Sequence, residues 1–116
     1  MHPVVEQMYT HDAFSQWLGI ERVEEKPGYC RLRMQVREEM TNGFGIAHGG
    51  IAYALADSAL AFASNAHGRK AVSIETAIAH TEPVKAGEWI TAEAEEEHLR
   101  HRLGIYKVSV KKADGT

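Results

Sequence analysis

The feature that most limits what this chain can become is a run without a clear polar face. It is Ile51-Ala52-Tyr53-Ala54-Leu55-Ala56-Asp57-Ser58-Ala59-Leu60-Ala61-Phe62-Ala63, entered through Asn42-Gly43-Phe44-Gly45-Ile46-Ala47-His48-Gly49-Gly50. Alanine and leucine favour helix, and Ala66-His67-Gly68 supplies a glycine stop, so the run reads as one helix. A helix that is apolar on nearly every side belongs inside a core. The chain is therefore expected to build itself around this helix, with one carboxylate, Asp57, set into its middle. Burial disfavours an ionised acid unless it is paired or its charge is used. Two readings follow: Asp57 lies on a narrow wet stripe with Tyr53 and Ser58, or it is held in a pocket that employs it. Gly49 and Gly50 weigh on the second side, because glycines at a helix start let another group approach free amides that attract negative charge.

With 116 residues, 44% of them hydrophobic and 25% charged, the chain has the composition of one globular domain with a modest core. A net charge of -3 without a sustained basic run argues against nucleic-acid binding. No apolar run has the length of a bilayer span, and Met1-His2-Pro3-Val4-Val5-Glu6 lacks the features of a signal peptide, so the cytoplasm is the expected location. Cys30, the single cysteine, falls on the apolar side of an alternating stretch and reads as structural. The seven histidines are scattered, and the close pair His98 and His101 is flanked by Arg100 and Arg102, so no metal site is expected. Nucleophile-elbow, Walker-type and dinucleotide-binding motifs are absent.

In chain order, Val4, Met8, His11, Phe14, Trp17 and Leu18 recur at roughly helical spacing before Gly19, predicting one or two short helices at a core edge. After a Pro27-Gly28 turn, Cys30, Leu32, Met34 and Val36 alternate with Arg31, Arg33, Gln35 and Arg37, the pattern of a half-buried antiparallel strand. Val72, Ile74, Thr76 and Ile78 alternate likewise and predict a second strand, ending before the turn at residues 82–87. A third strand is expected from Trp89 to about Glu97, with Ile90, Ala92 and Ala94 inward, and a fourth around Tyr106, Val108 and Val110. Asp114-Gly115 signals a turn. One strand, one long buried helix and an antiparallel meander make an α+β pattern in which a sheet wraps a helix.

The loop Asn42-Gly43-x-Gly45-x-x-His48-Gly49-Gly50, followed by Leu55-Ala56-Asp57-Ser58-Ala59, resembles the signature of hotdog-fold acyl-CoA thioesterases of the phenylacetate-pathway (PaaI) type. Leu18-Gly19-Ile20 and the spacing of Ser73 to Pro83 agree with it, and the resemblance spans essentially the whole chain. It implies a single hotdog domain over residues 1–116, with a last strand inside the sheet that this sequence does not contain. It implies hydrolysis of aryl-acyl or related acyl-CoA thioesters, with Asp57 as nucleophile or general base. The Gly49 amide would polarise the thioester carbonyl, Asn42 would hydrogen-bond near it, His48 would orient the loop, and Ser73 would hold water. Gly50, Phe44 and Tyr53 are the candidates for lining the acyl site, and Arg100 and Arg102, in the one compact basic cluster, for meeting the phosphates of coenzyme A. No cofactor beyond coenzyme A itself, as part of the substrate, is implied. The resemblance also implies a homodimer, and a homotetramer beyond it, in which the acid of one subunit works with the loop of the other. Other readings on the same fold are a non-catalytic acyl-CoA-binding protein and a hydratase or dehydratase, against both of which Asp57 stands.

Overall fold

The structure, a computed structural model, describes residues 3–116. The two short helices expected at the start are α1, Pro3–Thr10, and α2, Ala13–Leu18. Asp12 caps α2 by accepting a hydrogen bond from the Ser15 amide (3.0 Å), and Gly19 closes it in the left-handed region. An antiparallel hairpin follows, β1 (Glu21–Lys26) and β2 (Tyr29–Gln35), joined by the Pro27-Gly28 turn. After a single 3-10 turn, Glu38–Met40, the chain enters the long helix α3, Gly49–Asn65. Strands β3 (Trp89–Leu99) and β4 (Gly104–Lys112) complete one antiparallel sheet in the order β1-β2-β3-β4.

The core lies between this sheet and α3. Leu32 pairs across to Ala92 and Met34 to Ile90, and all four side chains are buried. They meet Ile51, Leu55, Ala59, Phe62 and Ala63, which fall on one stripe of α3 at helical spacing. The alanines on both partners let helix and sheet approach closely. Cys30 sits in this core, and burial pushes its thiol up to about 12, so it remains a small apolar side chain.

Three features differ from the sequence reading. First, α3 is not covered on every side: the stripe with Tyr53, Asp57, Leu60, Ala61 and Ser64 turns away from the sheet, because four strands can bury only one side of a helix. Asp57 is exposed in the single chain. Second, β1 was not anticipated, since the side chains it turns under α1 are Arg22 and Glu25, an ion pair with 8% and 0% side-chain exposure, which leaves no apolar alternation to read. Glu6 of α1 joins Arg22 at 2.6 Å. Phe14 and Trp17, expected to cover the core, instead stack on one another half-exposed.

Third, the stretch from Val72 to Ile78 is not a strand. It is extended, but its backbone joins no ladder, and Val72, Ile74 and Ile78 are 77%, 83% and 42% exposed. Among the described residues β4 pairs with β3 alone, so no strand lies between it and this stretch to carry its hydrogen bonds. The segment runs back along α3 as a strap. Asn65 holds Ala71 by two bonds of 3.0 Å, Tyr53 meets Thr76 through their hydroxyls, and Ala47 N–H donates to the Val84 carbonyl at 2.6 Å. Between α3, β4 and the strap lies an open trough of about 2150 Å³.

Candidate active site

The loop before α3 is organised by Asn42. Its side-chain oxygen accepts from the amides of Phe44 (2.9 Å) and Ile46 (3.4 Å), while its own amide donates to the Ile46 carbonyl (2.8 Å). This is the local turn that an Asn side chain favours. Gly45 (φ 77°) takes the left-handed conformation that a side chain would resist. With the carboxamide oxygen committed to the loop, the Asn42 side-chain N–H groups make no bond to other described residues and are left as donors.

His48 is the N-cap of α3. Its Nδ1 accepts from the Gly50 amide (3.1 Å), so the remaining N–H of that ring is on Nε2, and its carbonyl accepts from Ile51 (2.9 Å). The first amides of a helix have no partner within it. Here Gly50 and Ile51 are satisfied by His48, and the Gly49 amide is left without an acceptor among the described residues. A free N–H at the positive end of a helix dipole is a donor for developing negative charge on oxygen. Phe44, at 90% exposure, stands out from the same loop.

Asp57 follows Gly49 by eight residues on the same helix, which places them about 12 Å apart along the axis. It lines the trough together with Tyr53 and Ser73. The far end of the trough is basic: Arg100 and Arg102 of the β3–β4 hairpin are joined there by Arg69 and Lys70. Arg100 Nε donates to His98 (3.0 Å) and Arg69 to the His101 carbonyl (2.9 Å), and none of the four cations forms an ion pair among the described residues. The single chain thus brings the anticipated residues together in two groups. Asn42, Phe44, His48, Gly49 and Gly50 surround the start of α3; Asp57, Tyr53, Ser73, Arg100 and Arg102 line the trough. Among the described residues no group of three or more His, Cys, Asp or Glu side chains is placed to hold a metal.

Residues 44–116 match the family model described as the thioesterase superfamily. The chain is 35% identical over 103 residues to the acyl-coenzyme A thioesterase PaaI of Escherichia coli, covering 89% of this chain and 74% of that one. The chain belongs to the thioesterase superfamily. This thioesterase is also 34% identical over 97 residues to human acyl-coenzyme A thioesterase 13, covering 81% of this chain and 69% of the relative. Its fold superposes on the structure of the E. coli PaaI protein from the phenylacetic acid degradation operon with a TM-score of 0.95 at 32% identity, over 97% of this chain and 82% of the other. It is a hotdog enzyme of the PaaI type, a class of hydrolases acting on thioesters.

Neither Arg69, Lys70 nor His80 was singled out from the sequence. The first two lie just past α3 and join the hairpin cations only through folding. His80 lay in the stretch read as a strand, where nothing marks a histidine as near Gly49. No helix among the described residues is long and apolar enough to cross a membrane.

Proposed function

We propose that this protein hydrolyses acyl-CoA thioesters in a site shared between two copies of the chain. The observation that carries the reading is the separation on α3: Gly49 and Asp57 stand eight residues, about 12 Å of helical rise, apart on one helix, which favours an amide and a carboxylate from different chains acting on one carbonyl. A second copy docked by the uncovered stripe of α3 supplies the missing half to each site. The named relatives, one of them an acyl-coenzyme A thioesterase at 35% identity, support the choice of substrate.

In this site the thioester carbonyl accepts from Gly49 N–H, with Asn42 beside it and His48 holding the Gly50 amide and the loop in register. Asp57 of the other copy attacks as a nucleophile or draws the proton from an attacking water that Ser73 helps to hold. Gly50, Phe44 and Tyr53 border the acyl group, and an aryl-acyl group suits an opening flanked by two aromatic rings. Arg100 and Arg102 take the phosphates of the coenzyme A arm by charge-assisted hydrogen bonds. The working assembly is a homodimer that pairs further into a tetramer, in the cytoplasm.

The test is complementation. Asp57→Asn folds and loses most turnover on a panel of aryl and medium-chain acyl-CoA substrates, as does a variant damaged in the Asn42 to Gly49 loop. Refolded together at equal amounts, they form about half mixed dimers, each with one intact site, and recover roughly a quarter of wild-type activity per subunit. Mixed dimers that form but recover nothing place acid and loop in one chain, and full activity in Asp57→Asn removes the acid from the mechanism.

A further inference from the structure

The strap returns along α3 and ends at its start. Its tie from Val84 to Ala47 (2.6 Å) fixes the backbone four residues beyond His80, and the imidazole of His80 lies against Gly49. A Cβ built on Gly49 would stand 3.3 Å from His80 Nε2, 3.5 Å from Cε1 and 3.9 Å from Cδ2. Glycine at 49 therefore leaves room for the imidazole. His80 makes no hydrogen bond to other described residues, and it lines the same trough as Asp57. Beside it are the Gly49 amide, without an acceptor among the described residues, and a His48 ring already committed through Nδ1 to Gly50.

From this juxtaposition we infer that His80 is a further donor to the thioester carbonyl, its Nε2–H joining Gly49 N–H on the oxyanion, with Asn42 beside them. The inference rests on the acyl-CoA hydrolase reading above and adds a residue to it. Attack on the carbonyl carbon, by water deprotonated at Asp57 or by the carboxylate itself, moves the C=O π pair onto oxygen. That oxygen then accepts from both donors. Its lone pair re-forms C=O as the C–S bond breaks and the electron pair leaves on the thiolate sulfur. In the water route the proton held by Asp57 passes to the thiolate; in the carboxylate route a water cleaves the acyl-aspartyl anhydride and restores the acid. His80 keeps its proton throughout, so it needs only an N–H on Nε2. Donors aimed at the same oxygen act where charge develops, so the loss of one should appear in kcat.

The experiment compares His80→Phe, which keeps a ring without a donor, with His80→Gln, which keeps an N–H, in the full-length chain on the best acyl-CoA of the panel. His80→Phe should lower kcat by about a hundredfold with KM nearly unchanged, and His80→Gln should retain more of the rate. His80 is exposed, so both variants should fold, which circular dichroism checks. A second measurement reads the contact itself: the kcat penalty of Gly49→Ala should be smaller in a His80→Ala background, because the added methyl then has no imidazole to displace. Wild-type kcat in His80→Phe, or strictly additive effects of Gly49→Ala and His80→Ala, would overturn the inference. The parent reading is scored separately on Asp57→Asn: an inactive Asp57→Asn beside a fully active His80→Phe removes His80 alone, whereas a fully active Asp57→Asn removes the acid.

Discussion

Residues 30–36 and 72–78 carry nearly the same sequence pattern and have opposite fates. Cys30, Leu32 and Met34 of β2 and Val36 just past its end alternate with polar residues and are buried to 0%, 0%, 0% and 1% exposure. Val72, Ile74 and Ile78 alternate as regularly and lie largely in solvent. Strand propensity does not explain the outcome, for the exposed stretch holds the strand-favouring Val72, Ile74, Thr76 and Ile78, whereas the buried one holds Val36 alone. Neighbours separate them: β2 has β1 on one side and β3 on the other, whereas residues 72–78 lie along α3, which offers a side-chain hook and no ladder. Alternation shows that a segment could pair. It does not say that a partner stands beside it.

The widest gap between the two stretches should appear in stability. Leu32→Ala leaves a cavity under α3 and should cost about 2–5 kcal/mol, while Ile74→Ala, which removes an exposed side chain, should stay within about 0.5 kcal/mol of wild type. Urea midpoints at a common m-value measure both, and equal losses would mean that the strap packs like a strand. A smaller effect should come from detaching the strap while sparing the sheet. Asn65→Ala removes both bonds to Ala71 and should cost about 1 kcal/mol, with amide exchange rising across residues 70–83 and unchanged in β2 and β3.

The smallest expected effect concerns the far end of α3, where His67 and Tyr106 both bond Glu96 Oε1, at 2.6 and 2.8 Å. Burial alone would push the Glu96 carboxyl up, but the bonds from Tyr106 and His67 together outweigh it and hold the group below its usual 4.5. A carboxyl lowered on folding adds stability that is present above its unfolded value and lost as pH falls through the folded one. Wild type should therefore lose a modest part of its stability as pH drops below about 4.5, and Glu96→Gln should lose less over that interval. Unfolding midpoints at pH 7 and pH 3.5 make the comparison, and identical pH slopes would remove Glu96 from that account.

Much of the candidate site's geometry was legible because its hydrogen bonding is local. Glycines at 49 and 50, an Asn three residues before Gly45 and a His before the first glycine define a loop whose hydrogen bonds close within a few residues. The spacing from that loop to Asp57 is set by the helical rise alone. Arg69 and Lys70 were not legible as part of the basic cluster, nor His80 as a neighbour of Gly49, because each depends on where a distant segment returns. The burial expected of Asp57 failed for a related reason: composition said that α3 is apolar, but how many of its sides are covered depends on the number of elements around it.

By itself the sequence determined the elements whose causes are short-ranged. These are the helix with its glycine entry and stop, the β2, β3 and β4 alternations and the Pro27-Gly28 turn, where periodicity, caps and turn residues act over a few positions. Tertiary structure alone decided that charged β1 pairs as an edge strand, that Val72–Ile78 becomes a strap, and that the free amide of Gly49 meets an imidazole from 31 residues later. Pairing and approach are properties of two segments at once, and no single segment carries the coordinates of the other.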